Sequence, residues 1–146
     1  MTPARTPLSS LFLGVYAGLV TGVSFVATPA KFWADGLALP VALEVGRRTF
    51  GLLFQIELAA MPLAVALLWM VQRTRFARVS AVLLAAVFAC QYAWLRPALD
   101  ARVDLWQRGS IPPDSYHHGL FMALEAMKIL TLVLCAWPDS EDRRQR

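Results

Sequence analysis

Residues 119–137 read GLFMALEAMKILTLVLCAW. The stretch runs without a proline or a turn signal and is apolar almost throughout. About 20 such residues, wound as a helix, cross the ~30 Å hydrocarbon core of a bilayer. Glu125 and Lys128 stand inside it. Three residues apart, they share a helix face. A charge at the centre of a span costs about 2.5–3.5 kcal/mol and persists where it is paired or faces a wet cavity. The stretch therefore implies a membrane-crossing helix and a surrounding bundle that offers these two side chains polar partners.

Working outward, three more blocks have the same character: residues 8–28, 50–71 and 77–95. Backbone groups in lipid must be satisfied within their own segment, so four blocks imply four helices. Composition agrees. The 146 residues are 58% hydrophobic and 16% charged, with a mean hydropathy of +0.51. Soluble domains run nearer 45–50% and about 25%. The expected fold is all-α, an integral-membrane up-down four-helix bundle forming a single domain over residues 1–146. Block one is too long for the apolar core of a cleaved signal peptide, and Phe25 spoils the small-residue pattern before Ala27. The net charge of +4 comes from basic residues between the apolar blocks, where topology signals sit. No aromatic-basic stripe points to nucleic acid. The expected partner is the lipid bilayer.

Four spans put both termini on one side. That side carries Arg5, Arg73, Arg75, Arg78, Arg143, Arg144 and Arg146; the other carries Lys31, Arg47, Arg48, Arg96, Arg102 and Arg108. The short second loop is the denser, and short loops weigh most in the positive-inside rule, so both termini are expected in the cytoplasm. Cys90 and Cys135 then lie at opposite depths, too far apart for a disulfide.

Up-down order aligns the polar residues. Glu125 lies about two turns into block four, and Glu57 two turns into block two. Gln91 is one turn from the exit of block three, with Thr21 and Ser24 in the last turns of block one. All fall in the half nearest loops one and three, and the other half reads as almost purely apolar. Thr21, Ser24, Glu57, Gln91, Glu125 and Lys128 thus form one expected polar layer. Lys128 can neutralise Glu125 or Glu57, leaving one acid over. Three uses stay open: a register-fixing ion pair, a proton or cation path, or the polar floor of a pocket for a lipid, quinone or other amphiphile.

The mouth of such a pocket would lie among Arg47, Arg48, Arg96, Asp100, His117 and His118. Pro29 is expected to stop helix one, Pro40 to open a short interfacial helix, and Arg96-Pro97 to end helix three. Pro62 is expected to kink helix two. Asp114 or Ser115 is the expected cap of helix four. Gly14, Gly18 and Gly22 recur every four residues along one face of helix one, which suits close packing within the monomer, a homodimer, or a larger membrane complex. No second His or Cys matches the depth of the layer, so no metal or haem is expected, nor any other cofactor. No nucleophile-base set or phosphate loop is visible, so catalytic residues are expected to be none and an enzyme is the weaker reading.

The stretch ATPAKFWADGLALPVALEVGRRTF (residues 27–50), LRPALDARV (residues 95–103) and the E-x-x-K of Glu125 and Lys128 resemble a group of small four-span bacterial inner-membrane proteins. More distantly, Pro29, Phe32 and the Leu-Arg-Pro at 95–97 are similar to the family related to transmembrane protein 205 (domain of unknown function 4149). That family often carries His and Ser in its last span, where this chain has Glu125 and Lys128. The resemblance implies a four-helix protein of a bacterial inner membrane and no particular activity. The functional expectation is a small-ligand-binding or accessory subunit, with a proton- or cation-coupled transporter and a structural scaffold as alternatives.

Overall fold

A computed structural model of the protein describes residues 7–72 and 74–137. They form four long helices, α1 (Pro7–Trp33), α2 (Leu39–Gln72), α3 (Arg75–Gln107) and α4 (His117–Ala136). No strand occurs among the described residues. Each helix is long and apolar enough to cross a membrane. The arginines at 5, 73, 143, 144 and 146, which bear on the expected orientation, lie outside the described residues.

The connections are short, so sequential helices are neighbours. α1 packs along α4 and α2 along α3, while α1 also touches α2 and α3 touches α4, closing a four-membered ring. Its core draws on all four helices: Leu13, Tyr16, Ala17 and Val20; Leu53, Met61, Ala64 and Leu68; Ala77, Ala81 and Leu84; Leu132 and Cys135. A second cluster of Phe54, Leu95 and Phe121 lies toward the first and third connections. Its rings meet edge to face, Phe54 and Phe121 with centroids 6.1 Å apart. That orientation sets the positive rim of one ring against the negative face of the other. Outward, the helices expose Leu11, Val15, Leu58, Leu63, Val79 and Val82. Neither Cys90 nor Cys135 is in a disulfide.

Three helix ends differ from expectation, and wide turns accompany two of them. α1 does not stop at Pro29 but continues to Trp33; α3 passes Arg96-Pro97 and continues to Gln107. Just before each proline the helix widens into a π turn, Gly22–Ala27 and Gln91–Leu95. There the Thr28 N–H donates to the Val23 carbonyl, and the Arg96 N–H to the Gln91 carbonyl, five residues back rather than four. Proline breaks an α-helix because it lacks an N–H and its ring strikes the carbonyl four residues back. The extra residue in the turn makes room for that ring. Pro40 opens a first turn, as expected, but of α2 itself and not of a separate interfacial helix. α2 also passes Pro62 as an α-helix and widens only at Leu67–Gln72.

α2 and α3 have 34 and 33 residues, about 50 Å each at 1.5 Å per residue, against ~30 Å for a hydrocarbon core. Their extra turns project together. Arg47 pairs with Glu44 and with Asp104 across the gap, and Gln107 Nε2 donates to the Pro40 carbonyl at 2.8 Å. The chain leaves α3 at Gly109, whose φ of +74° suits a residue without a side chain, and the Ser110 N–H closes the end on the Leu105 carbonyl. Neither expected cap opens α4: its N-cap is Tyr116, which makes no side-chain cap bond, while Ser115, one residue earlier, accepts the His117 N–H at 3.4 Å.

The glycine face is a further correction. A β-carbon at Gly14, Gly18 or Gly22 would meet nothing within 4 Å. The stripe faces away from the bundle, so packing within the monomer is not its role. The small residues that the core does bury are Ala17, Ala64, Ala77 and Ala81.

Candidate functional site

Three helices supply oxygens to one ammonium, and the fourth, α1, joins through the carboxylates. Lys128 Nζ lies 2.6 Å from Glu57 Oε1, 2.7 Å from Glu125 Oε1 and 3.2 Å from Gln91 Oε1. A lysine ammonium has three N–H donors; here Glu57 Oε1 and Gln91 Oε1 accept hydrogen bonds, and Glu125 Oε1 forms an ion pair beside them. Gln91 Nε2 donates to Glu125 Oε1 at 2.8 Å, and Ser24 Oγ to Glu125 Oε2 at 2.9 Å. Tyr16 donates its phenol proton to Glu57 Oε1 at 2.8 Å. Ser24, Glu57, Gln91, Glu125 and Lys128 have no exposed surface at all. Five of the six expected layer residues therefore meet. Thr21 does not; its hydroxyl turns back on the Ala17 carbonyl at 2.8 Å, the usual behaviour of a mid-helix threonine.

The π turns explain how α1 and α3 reach this point. Ser24 lies in the first wide turn, and Gln91 opens the one in α3. Both direct their polar groups to Glu125 of α4. The third wide turn does the same at the other end, where Gln72 Nε2 donates to the Cys135 carbonyl of α4 at 3.1 Å. Wide turns rotate the following residues relative to a regular helix and recur at functional sites. Gln72, with buried Ser9, Ser80 and Thr131, also corrects the expectation that this half of the bundle is almost purely apolar.

Charge and hydrogen bonding are unequal across the cluster. Glu125 has a donor on each oxygen. Glu57 has two on Oε1 and, among the described residues, none on its buried Oε2. Two carboxylates face one ammonium, so with all three ionised the cluster carries one net negative charge. Burying charge is tolerable only with full pairing and hydrogen bonding, and Glu57 Oε2 is where this cluster falls short.

On the side of the first and third connections, a cavity of about 530 Å³ opens above the cluster. Arg47, Arg96, Asp100 and His118 line it, as expected of a mouth, and Ser24 reaches it from below. Phe50, Phe54, Phe121 and Met122 form its apolar wall. Arg48 belongs instead to an adjoining cleft of about 520 Å³, where it is joined by Gln55, and it pairs with Glu44 at 2.8 Å. His117 lines neither space. Its ring stacks on Tyr116 with centroids 4.9 Å apart and meets the edge of Trp94 at 5.8 Å, and its Nδ1 lies 2.9 Å from Ser115 Oγ. Adjacent residues on a helix point about 100° apart, which separates the two histidines. Arg96 sits beside Asp100 at 3.7 Å with its guanidinium over the rings of Phe54 at 5.1 Å and Tyr92 at 5.9 Å.

Three members of the site were missed from sequence. Tyr16 reads as one more aromatic in an apolar block, yet 16, 20 and 24 follow the i, i+4, i+8 line of one helix face. Lys31 and Arg102 line the cavity but read as connection residues, because helices α1 and α3 were expected to end before them. No group of three His, Cys, Asp or Glu among the described residues is placed to hold a metal ion. No family model, curated protein or solved structure matches the chain.

Proposed function

We propose that the protein is a multi-pass integral membrane protein of a bacterial inner membrane that binds a small amphiphilic molecule. Both termini are placed in the cytoplasm, and kinship with the transmembrane protein 205-related family is part of the same proposal. The observation that carries the reading is the cavity's position. It opens where α2 and α3 carry their charges, is walled by aromatic rings and Met122, and reaches Ser24, which donates to Glu125. An apolar space with a few convergent polar groups is the usual form of a small-molecule site. Native mass spectrometry of the protein, extracted gently from its own membrane, tests this. A retained mass that disappears in a cavity-filling Leu99→Trp variant is expected. A bare protein in both cases refutes the reading.

A second reading rests on Glu57. A cluster with one carboxylate in excess, and one carboxylate oxygen without a donor, is a place to load and unload a proton or small cation. Glu57→Gln would then abolish pH-driven flux in proteoliposomes while leaving the bundle folded. If the cluster only fixes helix register, flux is absent in the wild type as well. The outward face of Gly14, Gly18 and Gly22 suits a second helix, from another copy of the chain or from a larger membrane complex in which this protein is an accessory subunit.

A further inference from the structure

The cavity holds more positive charge than its own carboxylates answer. Lys31, Arg47, Arg96 and Arg102 line it, against Asp100. Arg47 is paired with Glu44 and Asp104, and Arg96 lies beside Asp100. Arg102 donates to the Pro113 carbonyl. Lys31 pairs with no carboxylate among the described residues; its ammonium lies 4.9 Å from the ring centroid of Phe32.

Where that ammonium lies is informative. A lysine at a helix end ordinarily extends its stem so that the charge reaches water. Lys31 is half-buried and sets its Nζ against Gly46 of α2, so close that a β-carbon there would collide with it. Gly46 also lines the cavity. The missing side chain thus forms a notch that holds an ammonium at the cavity wall, facing the same space as Phe50 and Phe121. A cation without a carboxylate, seated in a notch beside an apolar chamber, is half of an ion pair.

We infer that the occupant is an amphiphile with an acidic head group, a carboxylate or a phosphate, and that Lys31 binds the head group while the aromatic chamber takes the apolar part. This rests on the proposal that the cavity is a binding site. A free fatty acid and an anionic phospholipid share the required chemistry, and Arg102 stands ready as a second cation for the more highly charged of them.

The test uses the full chain in a neutral detergent, with binding read by native mass spectrometry across a concentration series. The probes are a sixteen-carbon fatty acid, the alcohol of the same length, phosphatidylglycerol, and diacylglycerol. The acid is expected to bind about tenfold more tightly than the alcohol, or phosphatidylglycerol than diacylglycerol, equivalent to ~1.4 kcal/mol. Which pair shows the preference identifies the source. Lys31→Gln should erase it. Gly46→Ala keeps the charge but displaces the ammonium and should weaken acid binding by about threefold or more. Because the displaced group is the end of a flexible side chain, this second variant should fold normally. Equal binding of charged and uncharged probes, or a preference that survives both substitutions, overturns the inference and leaves the binding site intact. Failure of every probe to bind at all overturns the underlying proposal and this one with it.

Discussion

Replacing Lys128 by Met is the most informative perturbation of the buried cluster. The ammonium lies 2.6, 2.7 and 3.2 Å from oxygens on three helices, donating hydrogen bonds to Glu57 and Gln91 and pairing with Glu125. Met fills much of the same volume and does neither. Glu57 would keep only the Tyr16 hydroxyl, and Glu125 only Gln91 and Ser24. Two buried carboxylates would face each other with no cation between them. Removing one partner of a buried ion pair typically costs about 3–5 kcal/mol, because the remaining charge stays buried without compensation. The triple variant Glu57→Gln, Glu125→Gln, Lys128→Met removes all three charges and should lose far less, about 0–2 kcal/mol, since replacing a whole buried ionic group is often close to neutral. Reversible unfolding in mixed micelles, titrated with a denaturing detergent, gives both values. The decisive quantity is the difference between single and triple variants. If Lys128→Met costs under about 1 kcal/mol, or if the triple variant is as unstable as the single, the cluster is not a dry, mutually compensating group.

The same assay separates the cluster's other members. Ser24→Ala should cost about 1–3 kcal/mol, because Glu125 Oε2 loses its donor, and Tyr16→Phe should fall in the same range through Glu57 Oε1. Thr21→Val, one turn from Ser24, should stay within about 0.5 kcal/mol, since its hydroxyl serves only its own helix; a loss as large as that of Ser24→Ala would put Thr21 back in the layer. Gly18→Leu should likewise leave the bundle's stability within about 0.5 kcal/mol, because nothing in the bundle lies within 4 Å of the new β-carbon. If the glycine face joins two copies, that variant should also halve the mass of the extracted particle, and an unchanged mass rejects the face as a dimer contact.

The helix count and its polar residues were legible because both depend on local pattern. A run of apolar residues about 20 long has one satisfactory backbone conformation away from water, whatever surrounds it. Up-down order then sets depth by simple rise per residue, which brings Ser24, Glu57, Gln91, Glu125 and Lys128 to one level. Depth does not set direction. Thr21 and Tyr16 exchanged roles because facing depends on the rotation of α1 about its axis, and a bond to the helix's own carbonyl competes with any bond across the bundle.

What only the tertiary structure decided was where the helices end, which faces turn inward, and what lies between them. Pro29 and Pro97 read as stops because proline opposes a regular α-helix; π turns just before them let α1 and α3 continue and carry Lys31 and Arg102 to the cavity. Gly14, Gly18 and Gly22 read as a close-packing surface yet meet no neighbour within the bundle, whereas a β-carbon at Gly46, unremarkable in sequence, would strike the Lys31 ammonium. Apolar runs and residue spacings record what a chain must bury and at what depth. Helix rotation, wide turns and cavities arise from the balance of packing among four helices at once, and no stretch of one helix contains it.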